Sequence, residues 1–281
     1  MLRVDLVAFG GIMALYLLAM DHRDSFATQV YKIKGDPNPA ETKRIVDGKN
    51  LIYQGLVDAL SRGADRSKAA VLVDERYGEQ VARAAKATGI TLAMPIEKSD
   101  QEWFTLEYGN LGDGRWLEHV EAFDPRYVKI LVRDNPSFEV RARTRQMDDL
   151  ATVSSVLTSA GRDLLLELLV PPTPAEESAG YDDDLRPELT VRIIGEMQAA
   201  GVEPAIWKIE GLNTTADATQ VLATARQGGR NNVQCVVLGR DAPPEDLDRW
   251  LRAAAPAGFL WASRSAAASG RTRSRPSWQG R

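Results

Sequence analysis

The feature that most limits what this chain can fold into is a recurrence. Short apolar runs return along it, at residues 15–20, 70–73, 91–96, 127–132, 164–170, 205–209 and 233–238, with a shortened one at 258–260. They are rich in Val, Ile and Leu, as expected of parallel strands buried on both faces. The stretches between them have helical spacing. Residues 78–89 set Val81, Ala84 and Ala85 on one face and stop at a glycine. Residues 186–202 carry Pro187 early and Gly201 at the end, where helices favour each. Strand alternating with helix eight times predicts a (β/α)8 barrel, the TIM-barrel architecture, over residues 13–260. A doubly wound sheet is the alternative, but no glycine-rich phosphate loop follows the first run.

Charged residues interrupt or end these runs: Asp21 and Arg23, Asp74 and Glu75, Glu97 and Lys98, Lys129 and Arg133, Glu167, Lys208 and Glu210, Arg240. Barrels of this kind carry their chemistry at the C-terminal ends of the strands. Side chains alternate across a strand, so Lys129, Leu131 and Arg133 share one face, and Lys208 and Glu210 share another. Glu167 stands in an otherwise apolar run. Burying a charge costs several kcal/mol unless it is paired. Two lysines and a glutamate aimed into one barrel mouth are therefore either a site or a set of ion pairs closing the barrel.

Composition narrows the function. The net charge is −4, which argues against nucleic acid as a partner. Cys235, the single cysteine, rules out an internal disulfide and favours a reducing, cytoplasmic setting. The apolar N-terminus contains Asp5, lacks a small-residue cleavage site and is broken by Gly10 and Gly11. That fits neither a secretory signal nor a membrane span; Met13 is an alternative start. His22 and His119 belong to no metal-ligand pair, and there is no G-x-S-x-G nucleophile elbow. Neither a metal nor a cofactor is expected, and Cys235 is expected in the core. His119, in W-L-E-H-V-E-A-F, is expected to pack on or sit at the surface of a helix. Residues 32–44 and 171–187, rich in proline and polar side chains, are expected to be loops, either covering the mouth or plain surface. A homo-oligomer is one assembly the sequence permits.

What remains is lysine chemistry. A strand lysine that is desolvated and next to another cation has its pKa lowered. Its neutral amine can attack a ketone to form a Schiff base, and the iminium then permits carbon–carbon cleavage. A carboxylate such as Glu167 can move the protons.

The motifs L-L-A-M-D-H-R-D-S-F, V-L-V-D-E-R-Y-G-E, P-I-E-K-S-D-Q, Y-V-K-I-L-V-R-D-N-P, L-L-L-E-L-L-V-P-P, I-W-K-I-E-G-L and V-V-L-G-R occur in this order between Leu15 and Phe259. Together they resemble the barrel domain fused to 5-dehydro-2-deoxygluconokinase in bacterial inositol catabolism, which is similar to the 5-dehydro-2-deoxy-phosphogluconate aldolases. The likeness extends more distantly to the class I tagatose-bisphosphate and sulfofructose-phosphate aldolases. The resemblance implies catalytic roles for four residues: Lys208 as the Schiff-base lysine, Lys129 as the second active-site lysine, Glu167 as proton shuttle, and Asp21 at the end of the first strand. Candidate substrate-binding residues are His22, Arg23, Glu97, Lys98, Glu210, Gly239 and Arg240. His22 stands where the distant relatives have glutamine, and E-G-L replaces E-V-P, which favours the inositol branch. The implied reaction cleaves 5-dehydro-2-deoxygluconate 6-phosphate, a small phosphorylated keto-sugar acid, to dihydroxyacetone phosphate and malonate semialdehyde. The other readings are an aldolase for a tagatose- or sulfofructose-type phosphate, and a non-catalytic barrel acting as a binding protein.

Residues 261–281 break the pattern. They hold Arg264, Arg271, Arg273, Arg275 and Arg281 but no Leu, Ile, Val or acidic residue. Related sequences end in G-F-A-[IV]-G-R-[ST]-I-[WF], an eighth strand whose Gly-Arg pair helps bind phosphate. One inserted base after the Leu260 codon would account for the difference, because the shifted frame permits G-F-A-I-G-R-S-I-W and then an amphipathic helix. The expectation is an Arg/Ser-rich, disordered tail translated out of frame, which disrupts the eighth strand and last helix. The coding DNA at codon 260 tests it.

Overall fold

Branched apolar side chains suit a pleated strand covered on both faces. In the computed structural model, which describes residues 15–177, 180–239 and 242–260, seven such runs become strands. They are β1 (Tyr16–Met20), β2 (Ala69–Val73), β3 (Thr91–Pro95), β4 (Tyr127–Arg133), β5 (Asp163–Leu169), β6 (Ile206–Glu210) and β7 (Gln234–Leu238). All pair in parallel, in the order of the chain. Between and after them run α1 (Pro39–Ser61), α2 (Glu75–Ala87), α3 (Arg115–Phe123), α4 (Val140–Ser159), α5 (Arg186–Ala199), α6 (Thr215–Ala225) and α7 (Pro244–Ala257).

Alternation along each strand divides the apolar side chains in two. Leu164, Leu166, Leu168, Trp207, Ile209, Cys235 and Val237 face outward into the layer shared with the helices. Leu17, Ala19, Ala70, Leu72, Ala93, Leu165, Ile206, Val236 and Leu260 meet in a separate inner cluster. Side chains of β1 and β7 lie in that one cluster, so the sheet is curled into an open barrel. The eighth strand expected from the sequence is not among the described residues. Its place is marked by Leu260, whose N–H donates to the Cys235 carbonyl at 2.7 Å and which bridges Val236 in parallel. The tail 261–281 and Met13 lie outside the described residues. No described helix is long and apolar enough to cross a membrane.

Two expected loops are shorter than anticipated. Residues 32–44 are loop only as far as Asn38. There the Asn38 side chain accepts the Ala40 and Glu41 N–H groups, while the Glu41 carboxylate accepts the Asn38 N–H at 2.9 Å. Pro39 occupies the first helical position, where a missing N–H is harmless, so a residue read as a breaker starts α1. Residues 171–187 contain the π-helical turn Tyr181–Leu185, which leads into α5. The buried Tyr181 hydroxyl donates to the Val170 carbonyl at 2.8 Å and tethers this segment to the end of β5.

Candidate active site

The inner faces of β1 and of β3 to β6 change character toward their C-terminal ends. Below, they are Leu, Ala and Ile; above, they are charged. β4 turns Lys129 inward, β5 Glu167 and β6 Lys208, while Asp21 and Glu97 follow the ends of β1 and β3. All five are buried. Register decides which of them meet. Glu167 and Lys208 are Cα partners across β5 and β6, whereas Lys129 is level with Leu165. Lys129 and Glu167 are thus diagonal neighbours, a span that two long side chains can bridge.

Lys129 is the hub. Its Nζ lies 2.8 Å from Asp21, 2.9 Å from Glu97 and 3.1 Å from Glu167. Glu167 reaches Lys208 Nζ at 3.0 Å through the same oxygen, Oε2, that faces Lys129. Arg23 meets Glu97 at 3.4 Å and Glu107 at 3.8 Å. The second oxygen of Glu97 is buried and has no hydrogen-bond partner. Three buried carboxylates, Asp21, Glu97 and Glu167, with the partly exposed Glu107 at the edge, therefore face three cations, Lys129, Lys208 and Arg23. The two lysines differ in how many carboxylates hold them: three for Lys129, one for Lys208. Lys129 occupies the space between the carboxylates, and among the described residues no His, Cys, Asp and Glu side chains are grouped to hold a metal ion.

Charge balance sets the protonation states. For Lys129, burial lowers the pKa, but Asp21, Glu167 and Glu97 reverse this and push it well above the ordinary lysine value. Burial pushes the Asp21 carboxyl up, yet Lys129 and then Lys208 hold it well below the usual carboxylate range. Glu167 ends low for the same reasons. Glu97 goes the other way: burial outweighs Lys129 and Arg23, and its carboxyl is raised. The carboxylates thus favour the ammonium form of Lys129, and burial favours the protonated form of Glu97.

A cavity of about 400 Å³ opens above this cluster. Of the residues expected from the sequence, Asp21, His22, Arg23, Glu97, Lys98, Lys129, Glu167 and Lys208 line it. Two others do not. Glu210 is buried and accepts the Val170 N–H at 2.7 Å, so it joins the ends of β5 and β6. Gly239, just after β7, is half-buried and is not among the residues that line the cavity. Arg240 lies outside the described residues. The cavity adds Ser25 and Thr28 after β1, Gln101 after β3 and Arg133 at the end of β4. Arg133 donates to the Gln101 carbonyl at 2.6 Å. Period-two reading puts Arg133 on the Lys129 face, which is the signal that could have brought it into the site. His119 packs on α3, stacked 3.7 Å from Tyr108 with Nδ1 3.1 Å from Glu75, away from the cavity. Cys235 is buried in the outer core, and burial pushes its thiol up to about 12.

The fold recurs in solved structures. A protein from Corynebacterium glutamicum superposes with a TM-score of 0.55 at 15% identity, covering 89% of this chain and 77% of that one. Fructose-bisphosphate aldolase from Plasmodium falciparum gives 0.57 at 13% identity, over 89% of this chain and 81% of that one. Fructose-bisphosphate aldolase from Slackia heliotrinireducens gives 0.57 at 10% identity, over 92% and 76%. At these identities the likeness is one of fold: a TIM-barrel-type α/β architecture. No curated protein matches the sequence. A family profile described as "Uncharacterized protein conserved in bacteria (DUF2090)" matches residues 9–262.

Proposed function

The chain belongs to the DUF2090 family of bacterial proteins, and from its site we propose that it is a Schiff-base aldolase for a phosphorylated keto-sugar acid. The observation that carries this reading is one carboxylate oxygen, Oε2 of Glu167, held between two lysines, 3.1 Å from Lys129 and 3.0 Å from Lys208. Its substrate of choice is 5-dehydro-2-deoxygluconate 6-phosphate, as the sequence motifs suggest. The shared architecture with named aldolases agrees with this but does not specify the reaction.

The two lysines divide the work. Lys129, surrounded by carboxylates, stays charged and serves as an electrostatic and hydrogen-bonding group. Lys208 has one carboxylate partner, Glu167, and the proton its ammonium sheds leaves with the carbinolamine hydroxyl as water. Its free amine then attacks the substrate ketone, C5, and loss of water leaves an iminium. Removing the proton from the C3 hydroxyl breaks the C3–C4 bond. The C1–C3 fragment leaves as malonate semialdehyde, and the bonding electrons move into the iminium as an enamine. Protonation at C4 and hydrolysis release dihydroxyacetone phosphate and return the Lys208 amine. Glu167 lies where it can carry these protons. The unpartnered oxygen of Glu97 can accept a substrate hydroxyl. Arg133 and Lys98, on the β3–β4 side of the cavity, suit the carboxylate end.

Borohydride reduction in the presence of dihydroxyacetone phosphate should attach a three-carbon phosphate adduct to Lys208, located by peptide mass mapping. Absence of the adduct, with full cleavage activity in Lys208→Ala, would sink the proposal.

A further inference from the structure

Asp21 and His22 lie just past the last residue of β1 that pairs with β2, the pair Met20↔Val73. The sheet ladder therefore does not fix their backbone, although both line the cavity and Asp21 must meet Lys129. The fixing group comes from α1. Lys49 sits mid-helix with 0% of its surface exposed. A helix lysine is ordinarily solvated, and a buried ammonium is tolerated only when its donors are satisfied. All three of its N–H donors have a partner. One goes to the Met20 carbonyl at 2.7 Å, one to the His22 carbonyl at 2.9 Å, and one to the Asp74 carboxylate. The two carbonyls bracket Asp21. Asp74 follows β2 and accepts the Tyr77 N–H at 2.8 Å, capping α2. One nitrogen thus ties together the ends of two strands and the start of a helix.

We infer that Lys49 is a positioning residue: by gripping the carbonyls on either side of Asp21, it sets the Asp21 carboxylate against Lys129. Lys49 itself does not line the cavity, so it acts through the backbone and not on substrate. An apolar side chain of the same length would strand two carbonyls and a carboxylate, each losing a hydrogen bond that water cannot replace in a sealed space. A merely structural ion pair would need only Asp74; the two carbonyl bonds flanking Asp21 are what point to the site. Burial, the largest influence, lowers the Lys49 pKa, and the Asp74 carboxylate opposes that shift.

The inference rests on the proposed role of the Asp21–Lys129 pair, and its test is built to fail separately from that role. The double variant Lys49→Met/Asp74→Asn removes both charges. The asparagine side chain still offers an oxygen to cap α2, so the protein remains folded by circular dichroism. Two readouts follow. Titration of the Asp21 carboxyl by carbon-13 NMR, assigned with Asp21→Asn, is expected to move up toward the ordinary carboxylate value. The turnover number is expected to drop on the order of 10²-fold, as for a small misplacement of a reacting group, with KM little changed. In an Asp21→Asn background the same double substitution should add almost nothing, because the two act through one contact. An unmoved Asp21 titration, or a penalty fully additive with Asp21→Asn, would overturn the inference. A missing Lys208 adduct in the unaltered protein would defeat the aldolase reading instead, and the Asp21 titration would still decide the role of Lys49.

Discussion

Lys129 and Lys49 are both buried ammonium groups near the end of β1, one inside the barrel and one behind it. Around Lys129 the acceptors are carboxylates: Asp21, Glu97 and Glu167. Around Lys49 two of the three are main-chain carbonyls. A carboxylate can take up and return a proton; a carbonyl in a peptide cannot. The surroundings of Lys129 are therefore suited to chemistry and those of Lys49 to holding geometry. Only Lys129 opens onto the cavity. Buried charge by itself does not mark a site; the kind of acceptor and access to open space do.

The largest test of this contrast is Lys208→Ala. It should abolish cleavage and the borohydride-trapped adduct while leaving the thermal midpoint close to that of the unaltered protein. The Lys129 cluster keeps its own pairing in that variant. A large loss of stability would instead mark Lys208 as part of a structural ion-pair set. Next in size is Glu167→Gln, which keeps shape and removes the proton carrier. A fall of about 10²–10⁴-fold in turnover is expected for general acid–base work. Steady-state kinetics at constant pH would show it, and a fall below tenfold would remove Glu167 from that role.

On the other side of the contrast, Lys49→Met alone leaves Asp74 buried and unpaired. It should cost about 3–5 kcal/mol by urea unfolding. Adding Asp74→Asn should recover much of that loss. Equal stability of the single and double variants would show that the carboxylate is not the penalty. The smallest effect concerns acid. Asp21 is held below its ordinary 3.8 in the folded chain, so the unfolded chain takes up this proton first as pH falls. Its contribution is full above pH about 4 and is lost below it. Asp21→Asn should therefore flatten the fall in stability between pH 5 and pH 3 by about 1–2 kcal/mol, read from urea midpoints. An unchanged slope would mean that Asp21 is not paired as described.

Much of this is legible along the chain. The strand positions agree with the apolar runs to within a residue or so, because a strand covered on both faces must be apolar nearly throughout. Alternation puts Lys129 and Lys208 on inward faces, and Glu167 is conspicuous in an apolar run. Lys49 is not legible: a lysine mid-helix reads as solvated until the helix is docked on β1 and β2. Asp74 stands out as a charge at a strand end, but a partner 25 positions away in sequence leaves no local trace. Glu210 has the same face as Lys208, yet its carboxylate turns to the Val170 N–H. Pattern gives the face of a strand, not the bond a side chain finds there. Pro39 misleads for a similar reason, since its meaning depends on whether Asn38 caps a helix.

Periodicity by itself determined the parallel α/β architecture, the seven described strands and which residues turn inward, because side-chain direction is a property of the local backbone. The tertiary structure decided which of those residues touch. Curling and strand register placed Glu167 between two lysines, gave Lys129 three carboxylates and Lys208 one, and laid α1 so that Lys49 grips both sides of Asp21. Such contacts depend on distances between segments far apart in sequence, and no short-range pattern contains them.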